Sequence, residues 1–542
     1  MRAKSTAAFQ AITASRPIRW MAKQQSVCLI ARILLRVWYL FTGYLWWPVK
    51  RLVRRVRKSL GRHEVWYYFA TWVICALLGF VILQDFVYLK LLGGALVVTA
   101  FMFISIRSPI AGILFWLLTS PVINSIIRFK LIEGTPIITG DRVCISILLI
   151  VYLLQKKSKT EGKPSFLLHL SMAAFVGATL LATIQSDNPK WAAQEVLDSY
   201  FAPILMYLFA RRWITNTRSL TLVLIAMVCV GAYFSAFAIP EHFTSRSLFT
   251  YGGRLAWTEE ELGTVRVQGP AESPGEFGLI AAATMMLAIT FFSHESAWRK
   301  RFLYALVVCM TLVGIGLTLR RSVYAGGLIG LLVLMFMASK HTRRTVFILL
   351  TVVTLAAIVR WGALSGSSLY TERLADMNPI YSRAIVQTTA WNIVKHHPVF
   401  GVGAGNFTSA KDKYLVPYKG VSVSYAKGLR SPHSSYLNIL VEGGIIALLP
   451  FLSMLLMIFI TSYHAYKRVP EEEVRNRDAI VVFWGLSLAL IAQAASTDSF
   501  YFSRYLVSFW LFYFGAIAGT YLHGKKTTDA FSEKSAEKRA FT

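Results

Sequence analysis

The sequence predicts an all-α, polytopic helical membrane protein, and three observations support that prediction. Of the 542 residues, 55% are hydrophobic and only 15% are charged, whereas a soluble domain carries about 25% charged residues. Apolar stretches of about 18–20 residues, the length that crosses a bilayer as a helix, recur along nearly the whole chain. Clusters of Lys and Arg or of Pro and Gly bound these stretches. An outer-membrane barrel is excluded, because its strands are short and alternate apolar with polar residues.

The formal net charge is +30, from 57 Lys and Arg against 27 Asp and Glu. In a soluble chain this excess would suggest a nucleic-acid partner. Here much of it lies in short loops between apolar stretches, where the preference of cations for cytoplasmic loops explains it. We therefore expect a lipid bilayer as partner and no nucleic acid.

The chain has five cysteines with no CxxC spacing, which predicts neither a metal site nor a disulfide framework. Its first 26 residues lack the apolar core of a cleavable signal peptide. We therefore expect the first spanning helix to act as an uncleaved anchor.

Residues 1–64 form a basic N-terminal region with two open interpretations. It is either an amphipathic helix on an anionic cytoplasmic leaflet or a disordered basic tail. Beyond it, the apolar stretches predict fourteen membrane-spanning helices, at residues 65–84, 88–106, 109–127, 137–154, 166–185, 196–211, 219–239, 276–293, 302–319, 322–338, 345–361, 436–463, 478–495 and 503–522.

The orientation follows from the loop charges. With the N-terminus in the cytoplasm, every strongly basic short loop falls on the cytoplasmic side, as does the tail at 523–542. Helices one to eleven then occupy 65–361 and helices twelve to fourteen occupy 436–522. Two long segments lie outside: 240–275 between helices, and 362–435 as a large periplasmic loop before the third-last helix. A connection as long as the second is usually functional.

Arg320 and Arg321 interrupt an apolar run that is too long to be one span. They must mark a tight turn, which the helix count places on the outer side against the charge bias. A lipid phosphate group would compensate for that placement, because guanidinium groups bind phosphate bidentately. The alternative is that both side chains reach the headgroups without a catalytic role.

Arg383 begins another informative segment. It shares one helical face with Val386, Ala390 and Ile393, which predicts a cation at the end of an apolar stripe that could lie on the membrane. The glycine-rich run at 401–405 does not fit a dinucleotide fingerprint, since no strand precedes it. We interpret it as a turn packed against its surroundings.

His433 lies just before the stretch 436–463. Ser431 as N-cap and Pro432 as first helical residue predict that His433 sits in the first turn of a helix. The positive helix end would keep its imidazole neutral, as a general base requires. A structural histidine is the alternative. Glu442, deeper in the same helix, is expected to make a helix-to-helix hydrogen bond next to Gly443 and Gly444.

Taken together, these residues resemble the O-antigen ligase and polymerase superfamily of bacterial envelope enzymes, over a core of about residues 302–450. Arg320 stands where the family usually has a small polar residue, which leaves open which arginine has the main role; by position we favour Arg321. The matching groups, in chain order, are Thr318-Leu319-Arg320-Arg321, then Arg383 with Trp391, His397-Pro398 and Gly401-Val402-Gly403, then Pro432-His433-Ser434-Ser435-Tyr436-Leu437 with Glu442 and Gly443, while Gly269–Phe277 resembles a further stretch before a mid-chain span.

The resemblance implies a GT-C-like fold with about twelve to fourteen spans in the bacterial inner membrane and both termini in the cytoplasm. It implies a glycosyltransferase that needs no metal and no cofactor, with an undecaprenyl-pyrophosphate-linked saccharide as donor and a glycan or lipid-core hydroxyl as acceptor. His433 would be the catalytic base, and Arg321, Arg383, Arg320 and Tyr436 would bind substrate. Glu442 and Gly443 would support the site. Other polysaccharide assembly proteins are compatible partners.

Several alternatives stay open. Ligation to lipid A-core, polymerisation of repeat units and transfer to protein hydroxyls would use the same residues. A polysaccharide flippase also has many spans and intramembrane charge, although here the charges cluster at one face and no inverted repeat is seen. A membrane scaffold would leave Arg321 and His433 unexplained.

Overall fold

The computed structural model describes residues 87–126, 128–129, 138–155, 165–244, 258–259, 264–365, 378–415 and 431–522. The predicted N-terminal basic region, the predicted span 65–84 and the predicted tail 523–542 lie outside these residues. The helices of the described chain are α1 (Val87–Arg107), α2 (Pro109–Ile126), α3 (Gly140–Leu154), α4 (Phe166–Ile184), α5 (Pro189–Val196), α6 (Ala202–Trp213), α7 (Thr217–Thr244), α8 (Pro274–His294), α9 (Trp298–Leu317), α10 (Arg321–Met337), α11 (Lys340–Ser365), α12 (Asn378–His396), α13 (Phe407–Tyr414), α14 (Ser435–Arg468), α15 (Val474–Ala494), α16 (Ser499–Phe502) and α17 (Arg504–Tyr521).

A π-helical turn, Leu197–Phe201, joins α5 to α6. Two antiparallel pairs of two-residue strands complete the described secondary structure. β1 (Arg128–Phe129) pairs with β2 (Ile138–Thr139), and β3 (Thr258–Glu259) pairs with β4 (Thr264–Val265).

The prediction of an all-α, polytopic helical membrane protein is confirmed. Each predicted span from 88–106 onward lies on a helix. Seven described helices are long and apolar enough to cross a membrane, namely α4, α7, α8, α9, the Lys340–Arg360 part of α11, α14 and α15. Parts of α1 and α2 and the whole of α10 are shorter apolar helices.

Helix α8 is the most enclosed of the seven, with 94% of its apolar window buried. It packs against α7, α9, α10 and α15. A helix that is apolar all round belongs in the interior of a bundle. The hydroxyl of Thr284 donates to the Met227 carbonyl of α7 at 3.1 Å, which adds a polar link between the two helices. Helix α8 is therefore held in place by its neighbours.

Helices α6 and α17 approach closely because α17 carries Gly515 and Gly519. A Cβ at Gly515 would lie 2.4 Å from the Tyr207 carbonyl oxygen, and one at Gly519 would lie 2.4 Å from that of Ile214. Small residues four apart allow such contact between membrane helices. The rings of Tyr207 and Phe514 stack with their centroids 5.1 Å apart.

Helix α14 is interrupted at Gly444, whose φ of 64° and ψ of −168° are not helical. The break frees backbone groups that the segment before α13 binds. The Ile445 N–H donates to the Pro398 carbonyl at 3.0 Å, and the Val402 N–H donates to the Val441 carbonyl at 2.9 Å. Such pairing is needed because unsatisfied backbone groups are costly away from water.

The glycine-rich run is a packed turn, as the sequence indicates. Gly401, Gly403 and Gly405 all have positive φ, a conformation that glycine adopts at low cost. A Cβ at Gly401 would lie 2.5 Å from the Val441 carbonyl oxygen. The turn therefore lies directly against the first half of α14.

The apolar stripe of α12 faces protein, so the expectation that it could lie on the membrane is wrong. Val386, Ala390 and Ile393 are fully buried and form a cluster with Phe407 and Val441. The stripe covers α13 and α14, because the turn between α12 and α13 brings those helices against it. This packing fixes the position of Arg383, which lies on α12.

At the other end of α8, one carboxylate ties three helices together. Asp478, in the first turns of α15, accepts hydrogen bonds from His294 Nε2 at 2.9 Å and from the Thr342 hydroxyl at 2.5 Å. It also accepts from the backbone N–H and the hydroxyl of Ser339, at 2.7 and 2.6 Å. We refer to these four residues as the Asp478 cluster.

Candidate functional site

His433 lies immediately before α14. The helix begins at Ser435, and its N-cap is Ser434, whose hydroxyl accepts from the Leu437 N–H at 3.5 Å. The predicted cap at Ser431 and the predicted start at Pro432 are therefore wrong, and His433 is not in the first turn. The reason is that the Ser431 hydroxyl donates to Asp498 instead, at 2.5 Å.

Asp498, between α15 and α16, binds the segment that precedes α14. It is 5% exposed, and its Oδ2 lies 3.8 Å from His433 Nδ1. The backbone N–H groups of His433 and Ser434 also face its carboxylate. His433 has a φ of 53°, which is uncommon for a residue other than glycine and costs free energy. The contacts with Asp498 hold this strained conformation.

Further contacts fix the same segment to the start of α16. The Ser435 N–H and hydroxyl both donate to the Thr497 carbonyl, at 3.3 and 3.2 Å. The Phe500 N–H donates to the Ser435 hydroxyl at 3.1 Å. The imidazole and the carboxylate therefore belong to one rigid unit.

Two arginines bring positive charge to His433. Its pKa is lowered to about 4, first by burial, then by the charge of Arg383 and then by that of Arg320. The imidazole is therefore neutral near pH 7. The prediction of a neutral imidazole thus agrees with the structure, although its causes are burial and arginine charge.

Burial raises the pKa of Asp498 to about 6. The hydrogen bond from Ser431, the two facing backbone N–H groups and the charge of Arg383 oppose that rise. Asp498 is therefore mostly ionised near pH 7, and an ionised carboxylate favours an imidazole whose Nδ1 carries the proton.

Arg320 reaches the site from the turn between α9 and α10. The turn requires Leu319 at a φ of 49°, and it leaves Arg320 as the residue before α10 and Arg321 as its first residue. A guanidinium nitrogen of Arg320 lies 2.6 Å from where a Cβ of Gly275 would be. A larger residue at position 275 would therefore require the Arg320 guanidinium to move.

Gly275, at the start of α8, also accepts a hydrogen bond from the Gln493 amide at 3.4 Å. The charge of Arg320 acts on His433 and lowers its pKa. The preference for Arg321 from sequence position therefore gains no support from this geometry.

The structure places the remaining predicted residues around this centre. The Tyr436 hydroxyl donates to the Ile491 carbonyl at 2.9 Å, so it ties α14 to α15. The sequence predicts a helix-to-helix hydrogen bond for Glu442. In the structure its carboxylate accepts from the backbone N–H groups of Gly405 and Phe407. Phe407 is the first residue of α13. Gly443 is buried beside Glu442.

Three contributors were missed from sequence: Asp498, Gly275 and Gln493. A signal for Asp498 was available, since it is the acidic residue in the Ser- and Thr-containing segment between the last two predicted spans, on the predicted outer side. Within the described parts of the chain, no group of three or more His, Cys, Asp and Glu side chains could hold a metal ion.

A comparison with known protein families finds a match. Residues 305–452 match a family model described as O-Antigen ligase. That range contains Arg320, Arg321, Arg383 and His433, whereas Asp498 lies beyond it. No curated protein matches the chain.

Proposed function

We propose that the chain is a glycosyltransferase of the bacterial inner membrane, and the match of residues 305–452 to the O-antigen ligase family model supports this proposal. It transfers a saccharide from an undecaprenyl-pyrophosphate-linked donor to an acceptor hydroxyl on the periplasmic side. The observation that carries the proposal is a neutral His433 set between the Asp498 carboxylate and the positive charges of Arg320 and Arg383.

His433 is the general base in this proposal. Its Nδ1 faces Asp498 at 3.8 Å, so that the Nδ1 proton points to the carboxylate and Nε2 has a free lone pair. Nε2 takes the proton of the acceptor hydroxyl while that oxygen forms a bond to the anomeric carbon of the donor. Asp498 positions the ring and stabilises the imidazolium that results, as a buried carboxylate does beside other catalytic histidines.

The arginines act on the leaving group. As the bond between the anomeric carbon and the pyrophosphate oxygen breaks, its electron pair passes to that oxygen. Arg320 and Arg383 stabilise the negative charge that develops there, since guanidinium groups pair bidentately with phosphate oxygens. Lipid pyrophosphate then leaves as the second product, and the proton on His433 returns to solvent.

The acceptor separates three versions of this activity: ligation to lipid A-core, polymerisation of repeat units and transfer to protein. Deleting the gene and resolving the polysaccharides of the cell on a gel distinguishes them from one another and from a flippase. Unligated lipid-linked glycan indicates a ligase, loss of polymer a polymerase, and loss of glycan from protein a protein transferase. Accumulation on the cytoplasmic side would indicate a flippase and contradict the proposal.

A direct assay tests the chemistry. The purified chain in lipid nanodiscs is given the lipid-linked saccharide and the acceptor glycan in the presence of chelator. We expect product without added metal. Loss of all activity with chelator, restored by a divalent cation, would contradict the metal-independent part of the proposal.

A further inference from the structure

A cavity of about 460 Å³ lies beside the His433 site and takes no part in the mechanism above. It is a partly open cleft where α2, α3, α5, the π-helical turn, α6, the start of α8 and α17 meet. Its volume lies within the range of about 300–1,000 Å³ that is typical of small-molecule sites.

One part of its wall is a network of ion pairs. Arg142 pairs bidentately with Asp198, with Nε–Oδ1 at 2.9 Å and Nη2–Oδ2 at 2.5 Å. Arg504 binds the same Asp198 at 3.2 Å and also binds both oxygens of Glu195, at 2.9 and 2.7 Å. A network connected in this way holds its polar groups in fixed positions.

Two more carboxylates on the wall are fixed by other contacts. Asp141 accepts from the Trp116 indole N–H and, at 2.7 Å, from the Ser120 hydroxyl. Glu276 accepts from the Leu506 N–H at 2.9 Å and from the Glu272 N–H at 2.8 Å. A carboxyl group has about four acceptor sites, so Asp141, which accepts from these two side-chain donors, retains capacity for the hydroxyl of a ligand.

The wall also has groups with no partner in the described chain. The Gln194 amide and the Lys190 ammonium line the cavity, and neither makes a hydrogen bond or ion pair to the described residues. Phe201, Leu197 and Leu205 add apolar surface. Leu197 and Phe201 belong to the π-helical turn, a distortion that is often found at functional sites.

The cavity and the His433 site share the start of α8. Glu276 lines the cavity, and the Arg320 guanidinium packs against Gly275, the residue before it. The cavity and the Arg320 side chain are therefore adjacent at the first turn of α8.

We propose that this cavity binds the saccharide portion of one of the two substrates; the identity of those substrates rests on the proposed function. Sugar hydroxyls donate to the fixed carboxylates, and the carbon faces of the rings lie on Phe201 and Leu197. A phosphate group does not suit it, because four carboxylates (Asp141, Asp198, Glu272, Glu276) line it with three cations, of which Arg142 and Arg504 are already paired.

The first test measures binding without catalysis. Oligosaccharides released from the envelope of the producing bacterium by mild acid serve as probes, and saturation-transfer NMR detects those that bind the full chain in nanodiscs. Ala193→Trp fills the cavity without removing any member of the ion-pair network. Ala173→Trp, on the exposed side of α4, is the matched control.

We expect the transferred saturation to disappear in Ala193→Trp and to persist in Ala173→Trp and in the wild type. Absence of saturation in the wild type, or equal signals in both tryptophan variants, would overturn the proposal. Because this readout needs no turnover, it fails independently of the proposed function.

Steady-state kinetics then show which substrate is bound. We expect Ala193→Trp and Gln194→Ala to raise KM about tenfold for one substrate with kcat little changed, as loss of uniform binding does. A rise for the acceptor assigns the cavity to the acceptor glycan, and a rise for the donor assigns it to the lipid-linked saccharide. Unchanged KM values for both substrates would contradict the proposal.

Discussion

The positive φ of His433 destabilises the backbone, and the surrounding contacts offset that free energy. Residues other than glycine in such regions cost about 1–3 kcal/mol each, and they persist where neighbouring contacts determine the backbone. Here the Ser431–Asp498 hydrogen bond and the backbone N–H groups that face Asp498 supply those contacts. The strained residue is thus the one to which we assign proton transfer.

His433→Gln tests that assignment. Glutamine keeps the approximate size and the hydrogen bonding of histidine but takes up no proton, so we expect transfer to fall about 10²–10⁴-fold. The expected thermal midpoint in detergent stays close to that of the wild type. Binding of the lipid-linked saccharide to the purified variant checks that the arginines still hold the donor. Near-normal turnover would show that His433 is not the base.

The pH profile tests the pairing of His433 with Asp498. In the proposed mechanism, transfer needs an ionised Asp498, whose pKa is about 6, and a neutral His433, whose pKa is about 4. As the pH falls through about 6, Asp498 gains a proton first, so we expect the rate to decline with a midpoint there. In Asp498→Asn the maximal rate should be lower and that midpoint should be gone. A variant that keeps the decline near pH 6 would assign it to another group.

The two neighbouring arginines are predicted to differ. Arg320→Lys keeps the charge near His433 but loses the bidentate geometry, and we expect about a 10²–10³-fold loss of transfer. Arg321→Lys is the matched comparison, and its loss should be smaller if Arg320, whose charge acts on His433, is the arginine that binds the leaving group. Arg383→Ala should resemble Arg320→Lys. A larger loss for Arg321→Lys would instead assign the main role to Arg321, as its sequence position indicates.

Among the helices, α14 has a break at Gly444 that packs closely against the segment before α13. A Cβ at Gly444 would lie 2.0 Å from the Val399 carbonyl oxygen, at a φ of 64°. Gly444→Ala should therefore lower the free energy of unfolding by about 1–3 kcal/mol or more. Gly177→Ala in α4, where a Cβ would meet nothing within 4 Å, is the control. Thermal unfolding in detergent measures both, and equal midpoints would contradict the prediction.

The helices themselves could be predicted well from the sequence, since an apolar stretch of spanning length is a local property. The start of α14 could not be predicted from the sequence. Ser431 and Pro432 carry ordinary start signals, but a hydrogen bond to Asp498, 67 residues away, takes the Ser431 hydroxyl and moves the cap to Ser434. The role of Asp498 could not be predicted for the same reason. Asp498 lies near His433 only when α14, α15 and α16 are packed together.

At the scale of the whole molecule, the orientation in the membrane remains a prediction. Reporter fusions after Lys159, Arg301 and Lys467 should report a cytoplasmic location, and one within Lys411–Lys419 should report a periplasmic location. A cytoplasmic result at the last position would place His433 on the wrong side for a periplasmic transfer. The three basic loops serve as internal controls for the reporters.

The Asp478 cluster can form only late in the synthesis of the chain. His294, Ser339 and Thr342 leave the ribosome first, and His294 precedes its carboxylate partner by 184 residues. Until residue 478 has been synthesised, these donors have no Asp478 to bind, and the ends of α8 and α11 lack this link. The cluster therefore closes late in biosynthesis, so that a chain truncated before α15 lacks the tie between them. The link between α8 and α11 therefore forms only when the last eighth of the chain, which begins near residue 478, has been made.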